Sequence, residues 1–325
     1  MKPVQRNKLS LFVATLLLGL PPVAGWADTY PSRPIKLIVT FVPGGGADII
    51  GRYLAQALTS ALGQPVVVEN KPGAGGLIGV EAGLAAPADG YTFTLISSSY
   101  TVNPSLYKLK FDPMADITPI VQVSQGPLLV VVNPRVPARS MQELASLGKS
   151  RPGQLNYASS GQGSALHLGA ALFADTAGFT MNHVPYKGGG AALNDLIGGQ
   201  VDLYFAATAS ALPLVKAGKL RALAVTSAQR IAALPEVPTV AESGYKGYNV
   251  TLWYGLIGPK GLPADIVNRI NSEVNKVLAQ KETPVKLEVD GASVAGGTPA
   301  QFQTIVNREI ELWRGMVTKL GVKLD

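Results

Sequence analysis

The stretch FVPGGGADII, residues 41–50, leaves an apolar run, passes through three consecutive glycines and enters a helical pattern. Glycine has no Cβ atom, so such a loop turns tightly and lets a ligand approach its peptide nitrogens. At the start of a helix those nitrogens have no intrahelical acceptor and carry the positive end of the helix dipole. The stretch therefore predicts a strand-to-helix loop suited to an anion. The alternative is a plain tight turn in which Asp48 caps the helix.

Short β-branched runs alternate with longer amphipathic runs along most of the chain. The first series contains the strand patterns IKLIVTF (35–41), PVVVEN (65–70) and YTFTLISS (91–98), and a second series runs from Gln125 to RALAVTS (221–227). Such alternation is typical of parallel sheets with helices on both faces. A chain of 325 residues is longer than those that usually fold around a single hydrophobic core. The pattern therefore predicts an α/β protein with two doubly wound lobes and a ligand cleft between them.

The segment 229–259 interrupts this alternation with prolines and glycines, and we interpret it as a return crossing to the first lobe. Two long amphipathic helices follow, with apolar positions spaced for packing on that lobe. The first lobe is therefore expected to be discontinuous. The predicted organisation is a signal peptide at 1–27, lobe 1 at 28–124 and 248–325, and lobe 2, with the return crossing, at 125–247.

The amino terminus has the pattern of a cleavable export signal. Lys2, Arg6 and Lys8 precede an apolar run, and Gly25 and Ala27 are small residues at positions −3 and −1 of a cut after Ala27. A transmembrane anchor is the alternative, but two prolines end the run before about 20 apolar residues accumulate. We therefore expect a periplasmic protein that is cleaved after Ala27.

Composition excludes several functional classes. The chain has no cysteine, so disulfides, thiol catalysis and thiolate metal sites are ruled out. Its two histidines, His167 and His183, lie in neither an HxxxH nor an HxxE motif, and no metal is predicted. Removal of the signal leaves 25 basic and 21 acidic residues without a basic run, which disfavours nucleic acid as a partner. The glycine loop matches neither GxxxxGK[ST] nor GxGxxG, so no nucleotide cofactor is expected.

Three further loops join a strand to a helix and resemble the first. They are the run around Gly75 (70–76), the serines 97–99 and the loop 159–164. In doubly wound sheets, ligands bind outside the carboxyl ends of the strands, where such loops lie. Hydroxyl groups and free amides there donate hydrogen bonds to a carboxylate, so four such loops favour a carboxylate-binding site over simple turns.

Some residues remain open to two interpretations. An exported serine hydrolase would use Ser164, but the run 161–165 lacks the second glycine of a nucleophile elbow, and His167 is in the wrong chain position. His167 either faces the cleft or makes a buried hydrogen bond, and His183 is either a strand-end residue or a ligand contact, of which the first is favoured. Trp253 and Tyr254 are either core residues or part of the cleft wall. A solute sensor that docks to a membrane signalling protein is a further alternative function.

Taken together, these motifs resemble the Bug family, the periplasmic solute receptors of tripartite tricarboxylate transporters. The resemblance covers nearly the whole mature chain and is carried by PSRPIKLIV (31–39), PGGGAD (43–48), VENKPGAGG (68–76), DGYT (89–92), YASSGQGS (157–164) with His167-Leu168, VPYKG (184–188), GQVD (199–202) and LPEVPTVAESG (234–244). It implies a monomeric receptor, not an enzyme, with the type II periplasmic-binding fold. Its lobes would close on a small carboxylate (a di- or tricarboxylate, an amino acid or an aromatic acid) for delivery to membrane transporter subunits.

The resemblance also implies that amides, hydroxyls and bridging waters hold the ligand. The positions carried over are the loop 41–48, the serines at the end of the third strand, the loop 160–164 with His167, and the strand ends at 186–188 and 206–208. With the second glycine loop, the predicted ligand-binding residues are Phe41, Pro43, Gly44, Gly45, Gly46, Ala47, Asp48, Gly75, Ser97, Ser98, Ser160, Gly161, Ser164, His167, Tyr186, Lys187, Gly188, Ala206 and Thr208.

Overall fold

A computed structural model describes residues 30–281 and 293–320, together with Met1 and Thr283. The predicted signal peptide, apart from Met1, and its cleavage point after Ala27 lie outside the described residues. Within the described ranges, no helix combines the length and the apolar character that crossing a membrane requires.

The first part of the chain forms the predicted alternation of strands and helices. Strands β2 (Val66–Asn70) and β3 (Thr92–Ser97) both pair in parallel with β1 (Ile35–Val39). Helix α1 covers these strands because Ile50, Leu54 and Leu58 recur every four residues and are buried on one face. Two short 3₁₀ turns occupy Ala74–Gly76 and Asn103–Ser105. The elements are β1 (Ile35–Val39), α1 (Gly46–Leu62), β2 (Val66–Asn70), α2 (Leu77–Leu84), β3 (Thr92–Ser97) and α3 (Ser99–Val102).

The second part repeats the alternation around a second set of strands. Here β5 pairs in parallel with β6 and with β7. The elements are β4 (Ile117–Val132), α4 (Met141–Ser150), β5 (Asn156–Ser159), α5 (Ala165–Ala177), β6 (Asn182–Pro185), α6 (Gly189–Gly198), β7 (Leu203–Ala207), α7 (Thr208–Lys216) and β8 (Arg221–Val225). The chain then returns through β9 (Thr251–Pro259), α8 (Ala264–Leu278), β10 (Ser293–Gly296) and α9 (Pro299–Leu320).

The strands follow the order β2-β1-β3-β9-β4-β7-β5-β6, with β8 and β10 also paired to β4. The sequence pattern predicts parallel sheets, whereas β4 and β9 are antiparallel to their neighbours. The reason is topological, because β4 leaves the first set of strands and β9 returns to it, so the two must run in opposite directions. The result is a mixed α/β sheet with helices packed against it.

The long strand β4 divides the molecule into two halves. Its residues 117–127 pair with β9, and its residues 128–132 pair with β7 and β8. We call the strands β1, β2, β3, β9 and β10 with the start of β4 the first half, and β5 to β8 with the end of β4 the second half. We propose that these halves are the two lobes, whose bounds at 124/125 and 247/248 remain a prediction. Strand β4 changes its partner from β9 to β7 between residues 127 and 128, and β9 begins at Thr251, so both changes lie a few residues after the predicted bounds.

Helix α9 packs on the first half beside Trp253. The indole ring of Trp253 meets Phe302 edge to face, with ring centroids 5.4 Å apart. Its Nε1–H donates a 2.7 Å hydrogen bond to the Glu309 carboxylate, which also accepts a longer one from the Thr101 hydroxyl. Burial raises the pKa of Glu309 and outweighs the opposing effects of the Trp253 hydrogen bond, Arg308 and Thr101.

Replacing Glu309 by glutamine is expected to change how stability depends on pH. Because the folded state holds the Glu309 proton more tightly than the unfolded chain does, this group stabilises the wild type most at low pH. The contribution is lost as the pH rises from the ordinary glutamate pKa of 4.5 through the raised folded value. Glutamine still accepts from Trp253 but does not titrate. Melting temperatures between about pH 4 and pH 8 should show Glu309→Gln gaining on the wild type as the pH rises, and a constant difference would contradict the prediction.

Candidate functional site

A narrow cleft lies between the two halves. It forms at the carboxyl ends of β1, β3, β5 and β7, where the chain passes into helices. Its lining consists of Phe41, Gly45, Gly46, Ala47, Ser97, Ser99, Ser160, Leu166, Gly189, Tyr204, Ala207, Leu252 and Tyr254. None of these residues is aspartate, glutamate, lysine, arginine or histidine. Peptide dipoles and hydroxyl groups are therefore the groups that could bind a charged ligand in the cleft.

Four helices of nine residues or more begin at this cleft. Gly46 and Ala47 open α1, Leu166 lies in the first turn of α5, Gly189 opens α6, and Ala207 precedes α7. The first amides of a helix have no intrahelical acceptor and carry a partial positive charge. Convergence of several such ends in an uncharged cleft favours an anion of few atoms.

The side chain of Asp48 fixes the conformation of the glycine loop through hydrogen bonds. Its carboxylate accepts hydrogen bonds from the Gly44 amide (3.1 Å), Arg52 Nε (2.9 Å) and the Asn70 side-chain amide (3.0 Å). Burial alone would raise the pKa of Asp48, but these hydrogen bonds outweigh it and hold the pKa below its ordinary value. The Gly44 amide precedes the N-cap residue Gly45, and no side chain caps the start of α1. Asp48 is not among the lining residues, and it holds the loop in shape instead of capping the helix.

The two halves touch at glycines on either side of the cleft. A Cβ atom on Gly45 would lie 3.3 Å from the Gly189 nitrogen, and one on Gly75 would lie 2.8 Å from the Gln162 carbonyl oxygen. Direct hydrogen bonds also cross between the halves. Ser99 Oγ accepts from the Ala165 amide (3.1 Å), and the Tyr107 hydroxyl donates to the Gln162 carbonyl (3.0 Å). Side chains at these glycines would keep the halves apart.

His167 makes a buried hydrogen bond and does not line the cleft. Its Nδ1 accepts from the Gly163 amide (3.2 Å), and its ring stacks on His183 with centroids 3.9 Å apart. Burial, with a smaller contribution from His183, lowers the pKa of His167 to about 3. The imidazole is therefore neutral, and its hydrogen bond with the Gly163 amide holds the loop that contains Ser160. The neighbouring His183 ring also stacks on Tyr157 and shares a 2.6 Å hydrogen bond with Ser159 Oγ.

Ser164 is the N-cap of α5. Its fully buried hydroxyl accepts from the His167 amide at 3.2 Å. Ser164→Ala should therefore lower the free energy of unfolding by about 1 kcal/mol. Ser140→Ala is a matched control, because Ser140 caps α4 in the same way and is not a cleft-lining residue. Thermal or urea unfolding should show similar losses for both variants, and ester hydrolysis that depends on Ser164 would contradict the capping role.

Many of the predicted ligand-binding residues lie outside the cleft lining. The Tyr186 hydroxyl group donates a 2.7 Å hydrogen bond to the Asp195 carboxylate, and Lys187 is exposed. Thr208 Oγ1 donates to the Pro127 carbonyl (2.7 Å), while Ala206 is buried in β7. Those predicted ligand-binding residues that line the cleft are Phe41, Gly45, Gly46, Ala47, Ser97 and Ser160. Those that do not are Pro43, Gly44, Asp48, Gly75, Ser98, Gly161, Ser164, His167, Tyr186, Lys187, Gly188, Ala206 and Thr208.

Seven lining residues are absent from the predicted set, namely Ser99, Leu166, Gly189, Tyr204, Ala207, Leu252 and Tyr254. Of the two interpretations of Tyr254 from the sequence, a place in the cleft wall matches its position in the structure. Tyr204 and Tyr254 lie in strands whose residues are almost all buried, so their sequence neighbourhoods contain no polar signal. Ser99 and Ala207 lie within the serine run 97–99 and the strand end 206–208, which the sequence pattern and the family resemblance indicate.

Comparisons with known proteins identify relatives of this chain. A family model described as tripartite tricarboxylate transporter family receptor (TctC) matches residues 50–322. Protein BugT of Bordetella pertussis is 38% identical over 319 residues, which are 97% of each chain. The R. palustris protein Rpa4515, solved with adipate, is 35% identical with a TM-score of 0.88, and the match covers 90% of this chain and 99% of the other. MatC of Rhodopseudomonas palustris, solved with bound malate, is 31% identical with a TM-score of 0.85, covering 89% and 100%.

These matches span nearly the whole chain at identities of 31% to 38%. They confirm the predicted family and the α/β fold of a periplasmic binding protein. Members of this family are solute-binding receptors and not enzymes, which removes the hydrolase alternative. This chain belongs to the TctC family of tripartite tricarboxylate transporter receptors, whose members include the Bug proteins.

Proposed function

We propose that this protein is a periplasmic receptor that captures a small dicarboxylate in the cleft between its two lobes and delivers it to the membrane subunits of a tripartite tricarboxylate-type transporter. The single observation that carries the proposal is the convergence of four helix starts on a cleft without charged side chains. Export by the signal at residues 1–27 accounts for the periplasmic location.

Dicarboxylates are favoured over the other acids predicted from the sequence. An amino acid carries an ammonium group, and none of the lining residues offers a carboxylate to pair with it. Two relatives were solved with adipate and with malate, both of which are dicarboxylates.

Closure of the lobes would link binding to recognition by the transporter. The contacts across Gly45 and Gly75 require both halves to be together, whereas an open form would lose them. A ligand that touches both halves adds contacts that exist only in the closed form, and it therefore raises the population of that form. The membrane subunits would then recognise the closed shape.

The proposal is tested by exporting the full chain, purifying it from the periplasm and measuring its first residue by mass spectrometry. We expect Asp28, as cleavage after Ala27 requires. Calorimetric titration with adipate, succinate, malate, citrate, aspartate and benzoate should give its tightest binding with a dicarboxylate. Ligand should also raise the melting temperature in proportion to RT ln(1 + [L]/Kd). No binding by any acid would refute the ligand class, and unchanged uptake of the bound acid on gene deletion would refute the transport role and favour a sensor.

A further inference from the structure

Two tyrosine hydroxyl groups lie at the cleft, each beside the start of a helix. Tyr204 is on β7 in the second half, and Tyr254 is on β9 in the first half. A Cβ atom on Gly189 would lie 3.1 Å from Tyr204 Oη, and one on Gly46 would lie 2.5 Å from Tyr254 Oη. Gly189 and Gly46 are the first residues of α6 and α1. The hydroxyl groups and the free amides of these two helices therefore share one region of the cleft.

Tyr204 differs from the buried Tyr248 and Tyr100 in its hydrogen bonding. Its side chain is fully buried, yet within the described part of the chain its hydroxyl group has no hydrogen-bond partner. The hydroxyl groups of Tyr248 and Tyr100, by contrast, donate to the carbonyls of Gly169 and Pro113. Buried hydroxyl groups are nearly always paired, because an unmade hydrogen bond costs the desolvation of the group. An unpaired hydroxyl group that lines a cleft therefore points to a ligand that accepts a hydrogen bond from it.

Both hydroxyl groups remain protonated under physiological conditions. Burial raises the pKa of Tyr204, to which the nearby Tyr254 also contributes, and burial raises the pKa of Tyr254 as well. Each group can therefore donate a hydrogen bond. The first amides of α1 and α6 can only donate. Among the described residues, no carboxylate side chain lines the cleft to accept hydrogen bonds from these amides and hydroxyl groups.

We propose that Tyr204 and Tyr254, together with the first amides of α6 and α1, form a donor-rich end of the cleft that selects one free carboxylate group of the ligand. This inference rests on the proposed function and assigns specificity to two residues. A carboxylate offers about four acceptor positions and no donor, which matches such an end. An amide group there would direct its own N–H groups toward other donors and would be rejected.

The inference is tested with Tyr204→Phe and Tyr254→Phe, which keep the aromatic rings and remove only the hydroxyl groups. Calorimetric titration with adipate and malate should show binding about 10- to 100-fold weaker than wild type for each variant, the loss typical of a hydrogen bond to a charged group. The ligand-free protein gives a second readout. Since the Tyr204 hydroxyl is unpaired there, Tyr204→Phe should melt at the same temperature as the wild type or at a higher one.

Tyr248→Phe is the matched control. Tyr248 is also buried, but its hydroxyl donates a 2.7 Å hydrogen bond to the Gly169 carbonyl, and the residue does not line the cleft. Removing this hydroxyl leaves the carbonyl without that partner, so the ligand-free variant should melt at a lower temperature than the wild type. Its affinity for adipate and malate should equal that of the wild type.

The possible outcomes separate this inference from the proposed function. If the wild type binds adipate or malate and the Tyr204→Phe variant binds them equally well, the inference is refuted while the proposed function stands. If ligand-free Tyr204→Phe loses as much melting temperature as Tyr248→Phe, the Tyr204 hydroxyl is paired within the protein and the inference is refuted too. If the wild type binds no acid of the wider panel, both proposals fail.

Discussion

Gly46→Ala is expected to weaken dicarboxylate binding by about 100-fold, since forcing one methyl group into a packed site costs about 1–3 kcal/mol. The added Cβ atom would lie 2.5 Å from Tyr254 Oη and 2.9 Å from the Cβ atom of Ala207. It would displace the tyrosine hydroxyl and obstruct the approach of the second half at the same time. Calorimetric titration with the acid that binds the wild type most tightly measures the effect.

Gly198→Ala provides a control with the same chemical change. Gly198 ends α6, and a Cβ atom there would have no neighbour within 4 Å. Its affinity should match that of the wild type, and its stability should rise slightly because alanine restricts the unfolded chain. The prediction for Gly46 is wrong if its alanine variant folds and binds within about threefold of wild type.

A second variant separates obstruction between the halves from displacement of Tyr254. The neighbours of a Cβ atom on Gly45 are backbone atoms of Gly189 and Gly190 in the second half. Gly45→Val should therefore abolish the rise in melting temperature caused by ligand while leaving the ligand-free protein nearly as stable as the wild type. An unchanged response to ligand would contradict the role of this loop.

Phe302→Ala is expected to lower the free energy of unfolding by about 3–5 kcal/mol. The ring is 1% exposed, packs edge to face on Trp253 and occupies the space directly over Gly255. It therefore joins α9 to the sheet at a point where the strand provides no side chain of its own. Removing the ring leaves a cavity that backbone atoms of a central strand cannot close. Chemical denaturation monitored by circular dichroism measures the loss.

Leu312→Ala is the control on the same helix. Leu312 is an apolar residue of α9 but is 56% exposed, so its truncation should change the free energy of unfolding by no more than about 0.5 kcal/mol. Equal losses for Phe302→Ala and Leu312→Ala would show that α9 is not anchored through the Phe302 ring.

Part of the predicted set of site residues lines the cleft, and it comes from local sequence patterns. Gly45, Gly46 and Ala47 line the cleft because a glycine run between an apolar strand and a helical pattern has few alternative structures. The serines at the ends of β3 and β5 follow the same logic, since Ser97 and Ser160 also line the cleft. These are short-range patterns in which neighbours in the chain determine the conformation.

The roles of polar side chains near the loops were harder to predict. Asp48 and His167 adjoin the glycine and serine loops, yet their hydrogen bonds go to Gly44, Arg52, Asn70 and Gly163 and hold the loops in shape. Sequence proximity does not reveal which way a side chain turns. That choice depends on which buried donors need an acceptor once the chain has folded.

By itself, the sequence determined the α/β alternation, the glycine and serine loops at the strand ends, and the family to which the chain belongs. Only the tertiary structure decided that β4 and β9 run antiparallel through the middle of the sheet and that Tyr204 and Tyr254 meet the starts of α6 and α1. The physical reason is the range of the interactions. Helix starts and turns arise from residues close together in the chain, whereas strand pairing and the cleft arise from contacts between distant segments that form only when the whole core packs.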